Sequence, residues 1–175
     1  MSKPRILTLA GMIFSAALIR LLPHPWNFTP MAAMGLFAGA QFSDKRLAFA
    51  VPLSAVFLSD LVIGFYPFWW IVYAAHAASV MIGLQLQRHK SVPVLAGASL
   101  AASVTFFLVS NLSTFFSSGL FPMTSAGLIQ CYTVALPFFR NTVFGDLFFT
   151  ALLFGIFYSA EKKFPALRET ALQTA

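Results

Sequence analysis

The 175-residue chain is 59% hydrophobic and 16% aromatic, with 21 Phe, and only 9% of its residues are charged, against roughly 25% in a soluble domain. That inventory cannot cover a water-facing surface, which excludes a soluble enzyme and predicts a protein whose solvent is mostly hydrocarbon. The formal net charge of +6 does not point to nucleic acid, because the basic residues stand between apolar runs instead of gathering on one solvated face.

Backbone polar groups in lipid must be satisfied within their own segment, so each long apolar run reads as a helix of about 20 residues. The first runs from about Ile6 to Leu22. Lys3 and Arg5 ahead of it also fit a signal peptide cut near Ser15 and Ala17, but the run continues through Leu18 and Ile19, so it reads as a span. A second helix is predicted from Thr29-Pro30, as N-cap and first helical residue, to about Phe42. It is shorter than a bilayer core, so a flanking loop must dip inward. A third is expected over Leu47 to Phe65, turned by Tyr66-Pro67 into a fourth over Phe68 to Leu86, and a fifth over Val92 to Ser110. A loop from Asn111 to Thr124 and an apolar piece from Ala126 to Leu136 follow, and Pro137 is expected to open a last helix ending near Ser159. The expected fold class is therefore all-α: one transmembrane domain over 1–175, an integral membrane bundle of about six transmembrane helices.

The eleven Lys and Arg residues set the orientation. With the N-terminus inside, Lys3, Arg5, Lys45, Arg46, Arg88, Lys90, Lys162, Lys163 and Arg168 are cytoplasmic, leaving only Arg20 and Arg140 outside. Six spans with both termini cytoplasmic satisfy the rule at every loop, as expected of a multi-pass protein of the cell inner (cytoplasmic) membrane.

Ionisable residues inside spans are costly, so they pair, face a cavity or carry function. Arg20, Asp60, His76, Arg140 and Asp146 all map to mid-depth or to the outer half, and Asn27, Tyr73, Asn111 and Asn141 fall in the same layer. Helical spacing adds convergence. Trp69, Tyr73, His76, Val80 and Gly83 share a stripe with Ser79 beside it; Ser99, Ser103, Phe106 and Ser110 share another; Thr142, Asp146 and Thr150 share a third. A polar cavity open to the outside is the simplest arrangement, with Leu21 to Phe28 and Asn111 to Thr124 as its lid.

Each residue also has a plainer reading. Arg20 can snorkel to headgroups; Asp60 and Arg140, or Asp60 and Arg20, can form a structural ion pair; His76 can be a satisfied interior histidine; Asp146 can bond to Thr142 or Thr150. Cys131 reads as a small buried hydrophobe, although a thiol can ligate a soft metal or a corrinoid cobalt. Phe65, Tyr66, Phe68, Trp69 and Trp70 read as an interfacial belt. Gly35-x-x-x-Gly39 and Gly11-x-x-x-Ser15 permit close helix contact.

Three blocks, Arg20-Leu-Leu-Pro-His-Pro-Trp-Asn-Phe-Thr-Pro, Leu58-Ser-Asp-Leu and Cys131-Tyr-Thr-Val-Ala-Leu-Pro-Phe-Phe-Arg-Asn-Thr-Val-Phe-Gly-Asp, resemble the recurring blocks of an uncharacterised family of small bacterial membrane proteins. In size, six-span layout and polar outer half the chain is also similar to the substrate-binding S components of energy-coupling-factor vitamin transporters. That likeness implies capture of a solute from outside, with an energising, nucleotide-hydrolysing membrane partner elsewhere or none at all. The expected function is binding and uptake of a small solute of vitamin or precursor type. Its site would comprise Arg20, Asn27, Asp60, Trp69, Tyr73, His76, Asn111, Arg140, Asn141 and Asp146, with Trp69, Trp70 and Tyr73 as stacking surface. No catalytic residue, metal site, cofactor or nucleic-acid partner is expected, and lipid is the surrounding partner. A membrane scaffold without ligand, or an intramembrane enzyme using His76 or Asp146 as acid or base, are the alternatives.

Overall fold

The computed structural model describes residues 1–168; residues 169–175 of the single expected domain lie outside them. Among the described residues the chain is all-α. It forms α1 (Lys3–Leu18), α2 (Met31–Gln41), α3 (Lys45–Ile63), α4 (Trp69–Gln85), α5 (Val92–Ser117) and α6 (Ser125–Lys163), with single 3-10 turns over Ile19–Leu21 and Pro165–Leu167.

Local chemistry sets most boundaries. Ser2, Asp44 and Thr124 cap α1, α3 and α6 by accepting from the backbone N–H groups of Arg5, Arg46 and Gly127, which satisfies donors with no partner inside the helix. Pro4 and Pro93 occupy first-turn positions of α1 and α5, where a missing N–H costs nothing. Gly64 ends α3 with φ 100°, a conformation that a side chain would strain.

Three expectations need correction. α2 begins at Met31 with Pro30 in the cap position and no side-chain bond there, so Thr29 does not cap it; a residue from α6 does, as described below. α5 continues to Ser117, so the expected loop from Asn111 shrinks to 118–124. Its polar side chains find partners without unwinding it: Asn111 Nδ2 donates to the Phe107 carbonyl at 2.8 Å and Ser113 Oγ to the Pro67 carbonyl at 3.1 Å. Pro137 lies inside one continuous α6 instead of opening it. A proline within a spanning helix forfeits one ladder bond and bends the helix, which neighbouring helices can support. Ser103 faces Asp146 while Asn111 faces Cys131, so α6 uses nearly twice as many residues as α5 between the two contacts.

α2 is the centre of the bundle. Every one of its residues is buried, and α1, α3, α4, α5 and α6 all pack around it, α4 most extensively. The α2–α4 approach is close because three glycines form it. A Cβ added at Gly39 would stand 2.2 Å from the Val80 carbonyl oxygen, and one at Gly83 would stand 2.3 Å from that of Leu36. The Gly35-x-x-x-Gly39 pair therefore works within the monomer, whereas Gly11 has open space around it.

Both described termini lie at one end, where Ser2 Oγ donates to the Ala166 carbonyl at 2.8 Å. The turns after α1, α3 and α5 lie at the other, called the loop end here. Large apolar side chains cover the outer faces: Leu7 and Val62 are each 71% exposed, Ile129 68% and Phe144 66%. Four helices, α1 with its 3-10 turn, α3, α5 and α6, are long and apolar enough to cross a membrane. α4 and α2, with 17 and 11 residues, are shorter. This is the organisation of a membrane bundle.

Candidate functional site

The polar residues of the loop end form two separate networks. In the first, the 3-10 turn after α1 points Arg20 at α3. Arg20 Nη2 lies 2.6 Å from Asp60 Oδ1, Nη1 donates to Ser59 Oγ and to the Val56 carbonyl, and from α4 Tyr73 Oη donates to Asp60 Oδ2 at 2.8 Å. Asp60 is 0% and Arg20 11% exposed. Both carboxylate oxygens are thus engaged, which is the condition for a desolvated ion pair to persist. In the neighbouring α3–α4 turn, burial and then the Asp60 carboxylate push the Tyr66 hydroxyl up to about 12, so it stays a neutral donor.

The second network centres on Asp146 of α6, 1% exposed. Ser103 Oγ donates to its Oδ2 at 2.7 Å, and the backbone N–H of Ala33 to its Oδ1 at 3.3 Å. Ala33 lies in the first turn of α2, so Asp146 caps α2 from another helix and meets the positive end of its dipole. One turn further along α6, Thr150 Oγ1 donates to Ser99 Oγ at 3.3 Å. The semi-polar stripes expected on α5 and α6 do face each other.

Near the loop end the segment after α1 packs against α6. Phe28 packs on Phe148 and Phe149 with ring centroids 6.0 and 5.5 Å apart, and Asn141 Nδ2 donates to the Trp26 carbonyl at 3.0 Å. Beneath it remains a cavity of about 70 Å³, lined by Asn27, Thr29, Met31, Phe106, Phe107, Ser110, Asn111, Thr142 and Asp146. That volume is room for a few water molecules. Its polar groups are an Asp carboxylate, two amides and three hydroxyls.

Of the residues expected to form one site, Asn27, Asn111 and Asp146 meet at this cavity, and Asn141 pins the segment above it. Arg20, Asp60 and Tyr73 form the other network, with Trp69 stacked on Tyr73 at 4.9 Å between centroids. Arg140 is exposed on α6 and forms no ion pair among the described residues; the partner of Asp60 is Arg20. His76 and Asp60 are fully buried and Arg140 is exposed, and none of the three lines this cavity. His76 is fully buried with neither ring nitrogen hydrogen-bonded, so it is not the satisfied interior histidine of the plain reading. Its ring faces the backbone of Met31, a residue that lines the cavity, at a geometry too poor for a bond. The lid is half as expected: the segment from Leu21 to Phe28 covers the cavity, while residues 111–117 are part of α5.

The terminal end holds a cluster that sequence reasoning missed. Arg5, 1% exposed, pairs with Glu161 and donates to the Leu167 carbonyl at 2.5 Å and to Gln41 Oε1 at 3.2 Å, and Lys90 Nζ donates to the same oxygen at 3.1 Å. In the sequence Arg5 and Lys90 count only as positive charges near helix ends.

A family model described as a family of unknown function, DUF6580, matches residues 1–167. The chain belongs to that family. The match covers nearly the whole bundle, both networks and the terminal cluster included. No curated protein and no solved structure matches the chain. The groups present suit hydrogen bonding more than metal ligation: among the described residues no three His, Cys, Asp or Glu side chains converge, and Cys131 is buried with its Sγ 3.9 Å from the Asn111 carbonyl.

Proposed function

We propose that this protein binds a small polar solute from the outer side of a cell inner membrane, over Asp146, as the first step of uptake. In this reading both termini are cytoplasmic, all six helices lie within the bilayer with α2 and α4 sheltered by the longer ones, and the loop end faces outward. One observation carries it: a buried carboxylate, held only by neutral donors, forms the floor of a polar cavity roofed by a single irregular segment. A purely structural bundle has no need of an uncompensated acid at that depth. The orphaned His76 ring behind Met31 adds to the argument, since leaving buried polar atoms unpaired costs about 1–3 kcal/mol that selection for packing alone would remove.

The lining selects the solute class. A carboxylate with amide and hydroxyl oxygens favours a cation or a hydrogen-bond donor. Solutes of vitamin or precursor size, which occupy pockets of roughly 300–1,000 Å³, enter only if residues 21–30 swing away from α6. That opening is what the Asn141–Trp26 tether and the Phe28 stack would gate. The architectural likeness to energy-coupling-factor S components belongs to this proposal, supported by the six-helix layout and by a roofed polar pocket opposite the termini. An energising membrane partner belongs to the same proposal and rests on that likeness alone.

Native mass spectrometry of freshly purified protein tests the reading, comparing wild type with Asp146→Asn, which keeps size and an acceptor for the Ala33 N–H while its amide donates to Ser103 Oγ. A small molecule retained by wild type and lost in the variant is the expected result. If nothing copurifies, Asp146→Asn changes only stability, and a protein partner copurifies in fixed ratio, the scaffold alternative replaces uptake.

A further inference from the structure

The cavity over Asp146 also constrains what neutralises the carboxylate. The inference drawn from it rests on reading that cavity as a binding site, and it names an occupant besides the solute. A carboxylate offers about four lone-pair positions. The Ala33 N–H takes one on Oδ1 and Ser103 Oγ one on Oδ2, which leaves about two for the face of Asp146 that lines the cavity.

The neighbouring side chains turn oxygens toward the same space. Asn111 commits its Nδ2 to the Phe107 carbonyl at 2.8 Å, and Thr142 turns its hydroxyl toward the Phe138 carbonyl at 3.5 Å. Both point donors back at their own helix, so the amide oxygen of one and the lone pairs of the other are what remains for the cavity they line. Asn27, Thr29 and Ser110 add one side-chain oxygen each.

Charge is the unmet requirement. Among the described residues no basic side chain lines the cavity and no ion pair includes Asp146, and Arg20 at the same end is committed to Asp60. The N-terminus of α2 offsets about half an elementary charge. Water would hydrogen-bond to the carboxylate but cancel none of the remainder, and an uncompensated charge within a bundle of spanning helices is costly.

A hard monovalent cation meets these terms. Carboxylate, amide and hydroxyl oxygens are ligands for hard ions and not for soft metals. A divalent ion would overshoot the charge of one carboxylate that already faces a helix N-terminus, and an organic ammonium of vitamin size would not fit about 70 Å³. An anionic oxygen exerts a strong field, which favours the smaller of the two common alkali ions.

We propose that the closed cavity holds one sodium ion against Asp146, ligated by side-chain oxygens drawn from Asn27, Thr29, Ser110, Asn111 and Thr142, beneath residues 21–28. The solute meets a site already neutralised by the ion.

The experiment uses the full chain in mild detergent, stripped of sodium by exchange into choline chloride. Equilibrium dialysis against radiolabelled sodium should show one ion bound per chain. Tm should rise saturably with sodium chloride at constant ionic strength, by on the order of 3–6 °C once sodium exceeds its Kd about tenfold, and potassium chloride should need at least tenfold higher concentration. Asp146→Asn should abolish sodium binding. Should that variant fail to fold, Thr142→Val, which keeps shape and removes one oxygen, should weaken sodium at least tenfold. No bound sodium in wild type, a Tm blind to sodium as expected if a proton neutralises Asp146, equal responses to sodium and potassium, or wild-type affinity in Thr142→Val each overturns the proposal. The solute reading fails separately: a small molecule retained by wild type in choline chloride with no sodium bound removes the ion and keeps the solute, whereas sodium bound with no molecule ever copurifying keeps the ion and removes the solute.

Discussion

Gly39→Ala should be the most damaging single-methyl change in α2. Its new Cβ would stand 2.2 Å from the Val80 carbonyl oxygen, 2.7 Å from the Leu84 nitrogen and 2.9 Å from the Gly83 carbonyl carbon, where comfortable contacts lie near 3.5–4.0 Å. All three are backbone atoms and cannot rotate away, so α2 and α4 must part by about 1 Å, a gap that forfeits a quarter to a half of each contact's attraction along the face. Overpacking typically costs 1–3 kcal/mol. Because α4 is the most extensive partner of a helix buried on every side, roughly 3 kcal/mol is expected, or a drop on the order of 6–12 °C in Tm. Thermal unfolding in detergent, followed by tryptophan fluorescence, measures it. Gly97→Ala is the control: nothing lies within 4 Å of that position in α5, so helix propensity should leave Tm unchanged or raise it. Gly35→Ala, whose nearest neighbour is the Ser79 side chain at 2.9 Å, should fall between. A Gly39→Ala protein as stable as Gly97→Ala would refute the close α2–α4 approach.

Asp60→Asn should cost about 3 kcal/mol, since it leaves a mostly buried Arg20 with neutral acceptors only and no counter-charge; unchanged thermal stability would argue against the pair. His76→Met should raise stability by about 1 kcal/mol, because two unsatisfied buried nitrogens are replaced by an apolar chain of similar size, and a loss of stability would mean that the ring has a partner. Pro137→Ala should restore a ladder bond within α6 and raise Tm; a lower Tm in detergent would show that the proline is needed for the packing of α6.

The sequence revealed which faces matter better than which residues meet. Ser103, Ser110, Thr142, Asp146 and Thr150 were legible as stripes because helical spacing is local and a polar residue among apolar ones is conspicuous. The partner of Asp60 was not legible, because Arg20 and Arg140 share its depth, and only the rotation of each helix about its axis chooses between them. The Arg5–Glu161 pair was hidden for a related reason: the two residues are separated by most of the chain, and neither breaks an apolar run. Pro137 and Asn111 misled in opposite ways. Both are poor residues for a helix interior in water, yet in this bundle Asn111 bonds to its own helix and Pro137 lies within a continuous α6 that neighbouring helices can support.

The short second helix ties these features together. Eleven residues span about 16 Å at the helical rise, roughly half of a bilayer core, so the N-terminus of α2 ends inside the bundle, away from bulk water. Pro30 in the cap position offers no side-chain oxygen, and Asp146 supplies one from α6. Capping alone would be met by Asn, which keeps the reach of Asp and an acceptor oxygen without a charge to desolvate. A carboxylate is the costly choice, and it sits where the chain returning from α1 leaves a polar cavity instead of sealing it. Asp146→Asn therefore separates the two roles. If capping is the whole role, the variant should keep the fold and every property of wild type. If the carboxylate serves a solute, the variant should keep the fold and lose the solute.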